Sequence, residues 1–194
     1  MSAQNGEDIL DKASATYEKS NGVSASFALH IRNEIRQVSE SYEGVFQMQG
    51  DKFTLVTPDM QVWYDGKTQW VYRERYEEVY VSEPDGKELQ QTNPAVLLRT
   101  YKKDYKAKYT GESTSASGKT AYDVELSPKR KGDIIRISMQ IEKSSLFPSR
   151  IVIEDKNSTR TTIQIDKPES NINRPDRFFV FDPDKYPDAE VIKP

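Results

Sequence analysis

The hydrophobic period of this chain changes at Gly22, and that change constrains the fold more than any other feature. Before it, Ile9, Leu10, Ala13 and Tyr17 fall near helical spacing, and Asn21-Gly22 is a stop signal. After it, apolar residues recur at every second position, in short runs cut by turn residues. A period of two puts alternate side chains on opposite faces of a strand. Val23, Ala25, Phe27, Leu29 and Ile31 form the first such run, and Tyr42, Gly44, Phe46 and Met48 the second. Phe53 and Leu55 share a face, Pro58-Asp59 turns the chain, and Met60, Val62 and Tyr64 follow. Asp65-Gly66 is a hairpin signal, after which Thr68, Trp70 and Tyr72 lie on one side. Ile135, Ile137, Met139 and Ile141 repeat the pattern downstream, and Phe178–Phe181 reads as a last strand ending at Pro183.

About ten strands with short turns are therefore predicted, mostly antiparallel neighbours. Two helical segments accompany them, over 6–20 and about 93–101. Asn93 can cap the second and Pro94 sits at its first position, where no donor is lost. Glu83-Pro84-Asp85-Gly86 between them reads as a turn. No linker or shift of composition divides the chain, so residues 1–194 are expected to form one domain, with a sheet over 23–181. The Pro- and charge-rich tail, 183–194, is expected to be loosely held.

Composition narrows the chemistry. There is no cysteine and one histidine, His30, which excludes disulfides, thiolate nucleophiles and Cys- or His-rich metal centres. Against 28 Lys+Arg stand 31 Asp+Glu, a net charge of −3 that argues against nucleic-acid binding. No apolar run approaches the ~20 residues of a membrane span. The hydrophobic share is only 35%, which suits a sheet with one face in water. His30 falls on the polar side of its strand, and no nucleophile elbow, phosphate loop or dinucleotide fingerprint occurs. Glu77-Glu78 and Asp182/Asp184 are surface carboxylates rather than a matched catalytic pair. Met1–Gln4 is no export signal, which fits a cytosolic protein or an exported one whose signal has been removed. The alternation itself is compatible with two interiors. One is a sealed core. The other is a curved sheet closed by helices that opens for an apolar ligand.

The order of elements carries more. An N-terminal helix precedes Val23–Ile31, followed by Gly44–Met48 and Phe53–Pro58. Next come Val62-Trp63-Tyr64-Asp65-Gly66-Lys67-Thr68-Gln69-Trp70-Val71-Tyr72, the Asn93-Pro94 helix with Leu97-Leu98, and finally Phe179–Pro183. This series resembles the periplasmic outer-membrane lipoprotein carrier family (LolA-type) over nearly the whole chain, most specifically in D-G-K-T-x-W-x-Y. The resemblance implies an α+β fold that is mainly antiparallel β, a strongly curved, unclosed half-barrel covered by lid helices. It implies a periplasmic, non-enzymatic carrier without cofactor or metal that shields the acyl chains of lipoproteins. The cargo comes from an inner-membrane ATP-driven exporter and passes to an outer-membrane acceptor, with transient contact at membrane surfaces. Relatives of the same shape serve as lipid-binding or envelope-stress-sensing modules.

On that reading the acyl-binding cavity is lined by Phe27, Leu29, Ile31, Phe46, Met48, Phe53, Leu55, Val62, Trp70, Ile137, Met139 and Ile141. The two methionines adapt to chains of variable shape. The lid consists of Ile9, Leu10 and Ala13 of the first helix with Val96, Leu97 and Leu98 of the second. The family pattern has an arginine just before the strand matching Phe53–Thr57, where it ties the lid shut. Here the stretch is Gln49-Gly50-Asp51-Lys52, and a lysine lacks the planar fork of donors.

Overall fold

The structure, a computed structural model, describes residues 5–194; Met1–Gln4, the stretch read for an export signal, lies outside them. Helix α1 (Gly6–Glu18) begins where the Asn5 side chain accepts from the Glu7 amide at 2.9 Å. Glu7 and Asp8 in its first turn suit the positive end of the helix dipole. The chain leaves it through Asn21 and Gly22, both at positive φ, and enters the sheet.

Twelve strands make one continuous sheet. They are β1 (Val23–Asn33), β2 (Val38–Gln49), β3 (Lys52–Val56), β4 (Met60–Tyr64), β5 (Gln69–Arg73) and β6 (Glu78–Ser82). Then come β7 (Tyr105–Thr114), β8 (Thr120–Pro128), β9 (Ile134–Glu142), β10 (Pro148–Asp155), β11 (Thr159–Ser170) and β12 (Glu190–Ile192). The order across the sheet is β12-β6-β5-β4-β3-β2-β1-β11-β10-β9-β8-β7. All neighbouring pairs are antiparallel except β12 with β6. The sheet is curved and does not close into a barrel, as the resemblance implied.

Register defines an inner face. Phe46 pairs with Leu55, Leu55 with Val62 and Val62 with Val71. On the other half, Leu29 pairs with Ile163, Ile163 with Ile151, Ile151 with Met139 and Met139 with Val124. The crossover between β6 and β7 supplies the helices α2 (Gly86–Thr92) and α3 (Pro94–Asp104). Together with α1, α3 packs its apolar side onto this inner face, so one core joins Ile9, Leu10, Leu97 and Leu98 to Met48, Phe53, Ile137 and Met139.

Some expectations are corrected. The predicted turn Glu83-Pro84-Asp85-Gly86 runs into a further helix, α2, because Asp85 and Glu88 form a reciprocal capping box, at 2.9 and 3.2 Å. Ile135 is not part of the inward stripe but 56% exposed, since the β9–β10 register shifts there. Residues 178–181 are no strand: Asp176–Phe179 is a 3-10 turn that buries Phe179 on the outer face. Nor is the tail loose. Tyr186 stacks on Phe181, packs against Trp63 and Tyr72, and donates its hydroxyl hydrogen to Gln61 Oε1 at 2.9 Å.

Gly44 shows how closely neighbouring strands of the curved sheet approach one another. A Cβ there lies 2.1 Å from the Val56 carbonyl oxygen and 3.0 Å from the Phe27 ring. Gly44→Ala is expected to destabilise the fold by about 1–3 kcal/mol, because overpacking forces backbone to shift. A thermal melt reads this as a drop of several degrees; an unchanged melt contradicts the close approach.

Candidate functional site

The candidate site is the inner face and its helical cover. Phe27, Phe46, Met48, Phe53, Val62, Ile137, Met139 and Ile141 all lie there, buried in the core that also holds α1 and α3. Leu29 and Leu55 pack against its margin, half-buried. Ile31 is half-exposed, toward the β1–β2 turn. Trp70 is on the other side. It pairs with Trp63, whereas Val62 pairs with Val71, so the indoles face outward and Val71 takes the inward place. There Trp63 meets Phe181 and Tyr186 of the C-terminal strap (residues 176–189), edge-on at 5.4 and 5.7 Å.

Of the lid set, Ile9, Leu10, Ala13, Leu97 and Leu98 join the core. Val96 is buried but outside that cluster. Several inner-face residues were missed: Tyr64, Val124, Leu126, Ile151, Ile153 and Ile165. Alternation marks each of those strands, so the signal was present. Tyr17 and Tyr101 were also missed as parts of the cover. The Tyr17 hydroxyl donates to the Gly50 carbonyl at 2.9 Å, and burial pushes its phenol far above the ordinary range, with Arg99 opposing. Tyr101, 1% exposed, reaches the Glu7 carbonyl and Asp11 Oδ1 at 3.4 Å. Burial first, and the nearby Asp11 carboxylate second, raise its phenol likewise. Both therefore stay neutral donors at physiological pH.

A contact between the helical cover and the sheet lies in the turn just before β3, where the family pattern has an arginine and this chain has Asp51. The β2–β3 turn offers an acid, Asp51, and α3 the guanidinium of Arg99, which pair. Asn93, the cap of α3, also reaches the Asp51 carbonyl, at 3.5 Å. Lys52 faces away and pairs with Asp176 of the C-terminal strap. The Asp51–Arg99 pair is nearly half exposed on both sides, so it contributes no more than about 1 kcal/mol. An ion pair this weak adds little to the hold of the helices on the sheet.

Beneath the helices the inner face is packed rather than hollow: Leu10, Leu97, Met48 and Met139 are each at most 2% exposed. Beyond the helices it continues as a partly open apolar lane of Leu29, Leu55, Met60, Val71 and Ile163, flanked by Tyr42 and Tyr80 at 42% and 40% exposure. A surface depression of about 400 Å³ lies on the outer face instead, among Asp123, Glu125, Ser138, Gln140, Arg150 and Arg160. His30 shares a hydrogen bond of 2.9 Å with Ser41 Oγ, away from the core. Among the described residues, no group of three or more Asp, Glu or His side chains is placed to hold a metal.

The site is thus a covered apolar face on an unclosed sheet. The family profile "outer membrane lipoprotein carrier protein LolA" matches residues 1–157. The chain belongs to the LolA family. Among solved structures, an uncharacterized conserved protein from Thermus thermophilus superposes with a TM-score of 0.65 at 14% identity, over 97% of this chain and 98% of that one. A LolA superfamily protein from Nitrosomonas europaea gives 0.50 at 13% identity, over 92% and 99%. MucB, in its Pseudomonas aeruginosa complex with MucA, gives 0.54 at 13%, over 96% of this chain and 63% of that one. At such identities the likeness is one of fold. No curated protein matches the chain. The family match ends inside the β10–β11 turn, so β11, the outer-face strap and β12 lie beyond it in this LolA-type chain.

Proposed function

We propose that the protein is a periplasmic carrier that shields the acyl chains of lipoproteins against the inner face of its sheet and delivers them toward the outer membrane. The observation that carries this reading is the inner face itself. It is apolar from β4 to β8, covered by two helices through a weak ion pair, and continuous with a half-exposed lane at their margin. A filled interior makes room only by moving its cover, so cargo displaces α1 and α3 and takes over their contacts.

Magnitudes support such an exchange. Burying Ile9, Leu10, Tyr17, Leu97, Leu98 and Tyr101 of the cover contributes about 9–18 kcal/mol, at roughly 1.5–3 kcal/mol each. One acyl chain of ~16 carbons gains roughly 12 kcal/mol on leaving water. A single chain thus comes near to balance with the lid, and a second tips the exchange toward opening. Near-balance also lets cargo leave again, as a carrier requires. The exporter and the acceptor named by the resemblance belong to this reading. Among the described residues the buried core of the inner face holds no Asp, Glu or His, which supports transport rather than catalysis.

Co-expression with an acylated lipoprotein, followed by mass spectrometry of the purified protein under native conditions, tests the proposal. The expected result is retained lipoprotein, lost when the acylated cysteine of the cargo is replaced. Retention of free lipid alone replaces the carrier reading with a lipid-binding or stress-sensing module. Retention of neither overturns it.

A further inference from the structure

The outer edge of β6 holds an occupant that fits it poorly. β12 pairs there over three positions, Glu190 with Glu78, Val191 with Val79 and Ile192 with Tyr80. This short pairing is also the parallel one in an otherwise antiparallel sheet. Its first position sets two glutamates side by side, and like charges so paired destabilise a ladder. Val191 remains 50% exposed. Across β6, Arg73 is in register with Glu78, yet among the described residues no ion pair joins them. The Glu78 carboxylate accepts instead from the Tyr80 hydroxyl at 2.6 Å. That hydrogen bond, then burial, and then the charges of Glu78 and Glu190 raise the Tyr80 phenol, with Arg73 opposing.

Upstream, the strap is firmly seated through Phe179, Phe181 and Tyr186. β12 can therefore detach without unseating it. Detachment bares the backbone N–H and C=O groups along one side of β6, and a bare edge templates an incoming strand.

We propose that the β6 edge is a docking site for an extended segment of a partner protein in which basic and apolar residues alternate, with β12 as its displaceable resident. A lysine or arginine in the register position of Glu190 exchanges repulsion with Glu78 for attraction. An apolar residue next to it covers Val79, as Val191 now does. A second copy of this chain brings the same glutamate and gains nothing, so charge selects a foreign strand. This inference is independent of what the inner face carries.

Fluorescence anisotropy tests it, using the full chain and labelled, capped peptides of alternating Lys-Val or Glu-Val sequence. The Lys-Val peptide is expected to bind roughly tenfold tighter than the Glu-Val peptide. Glu190→Lys makes the resident pair attractive, and it is expected to weaken Lys-Val binding by about tenfold without lowering the melting temperature. The double variant Glu78→Lys/Glu190→Lys restores repulsion with the opposite sign and inverts the preference. Equal binding of the two peptides, no effect of Glu190→Lys, or dimerisation in place of peptide binding overturns the proposal.

Discussion

Leu97→Ala is expected to lower the stability of the protein and yet raise its affinity for an acyl ligand. Leu97 is 1% exposed at the contact between α3 and the inner face. Truncating such a leucine costs about 2–5 kcal/mol, part of it for the cavity left behind. The loss falls on the closed form, in which the helix is seated, and spares the form whose inner face is free. A ligand that binds only the open form is weakened by the scarcity of that form, and shifting the balance removes the penalty. Each ~1.4 kcal/mol taken from closure raises apparent affinity roughly tenfold. Met139→Ala, on the sheet side of the same core, also destabilises, but it removes surface that the acyl chain needs. Its affinity is expected to fall. A thermal melt combined with titration of a fluorescent fatty acid separates the two. If both variants weaken binding alike, the helices hold the ligand rather than make way for it.

Much of this arrangement is legible in the sequence, for a physical reason. A sheet with one wet face spells out its strands by alternation. The buried stripes from Phe27 to Ile141 stand in the sequence nearly as they stand in the core. Alternation gives the two faces of a strand but not which one turns inward. In β5 both parities are apolar, Trp70 and Tyr72 on one side and Val71 on the other. Register with Trp63 puts Trp70 on the outer face, and there Phe181 and Tyr186 of the C-terminal strap shelter Trp63 from over a hundred residues away. Ile135 escapes its stripe through a register shift that no local pattern announces. α2 had its capping box in plain view at Asp85 and Glu88, but no apolar period to follow it. β12 has three residues and pairs across a long gap, below what periodicity can detect. The family pattern places an arginine in the β2–β3 turn, whereas here the turn supplies Asp51 and the helix Arg99, and only the fold brings the two together.

Locking the helices to the sheet tests the central claim most directly. The chain has no cysteine, so Asp51→Cys with Arg99→Cys introduces the only two thiols, at the ends of the closing ion pair. A short thiol crosslinker with a reducible bond can then bridge α3 to the β2–β3 turn and later be cut. Uptake of a fluorescent fatty acid is measured on the unbridged, bridged and re-reduced protein. Helix displacement as the way in predicts uptake at or above the parent level before bridging, its loss on bridging, and its return on reduction. Undiminished uptake by the bridged protein contradicts the account.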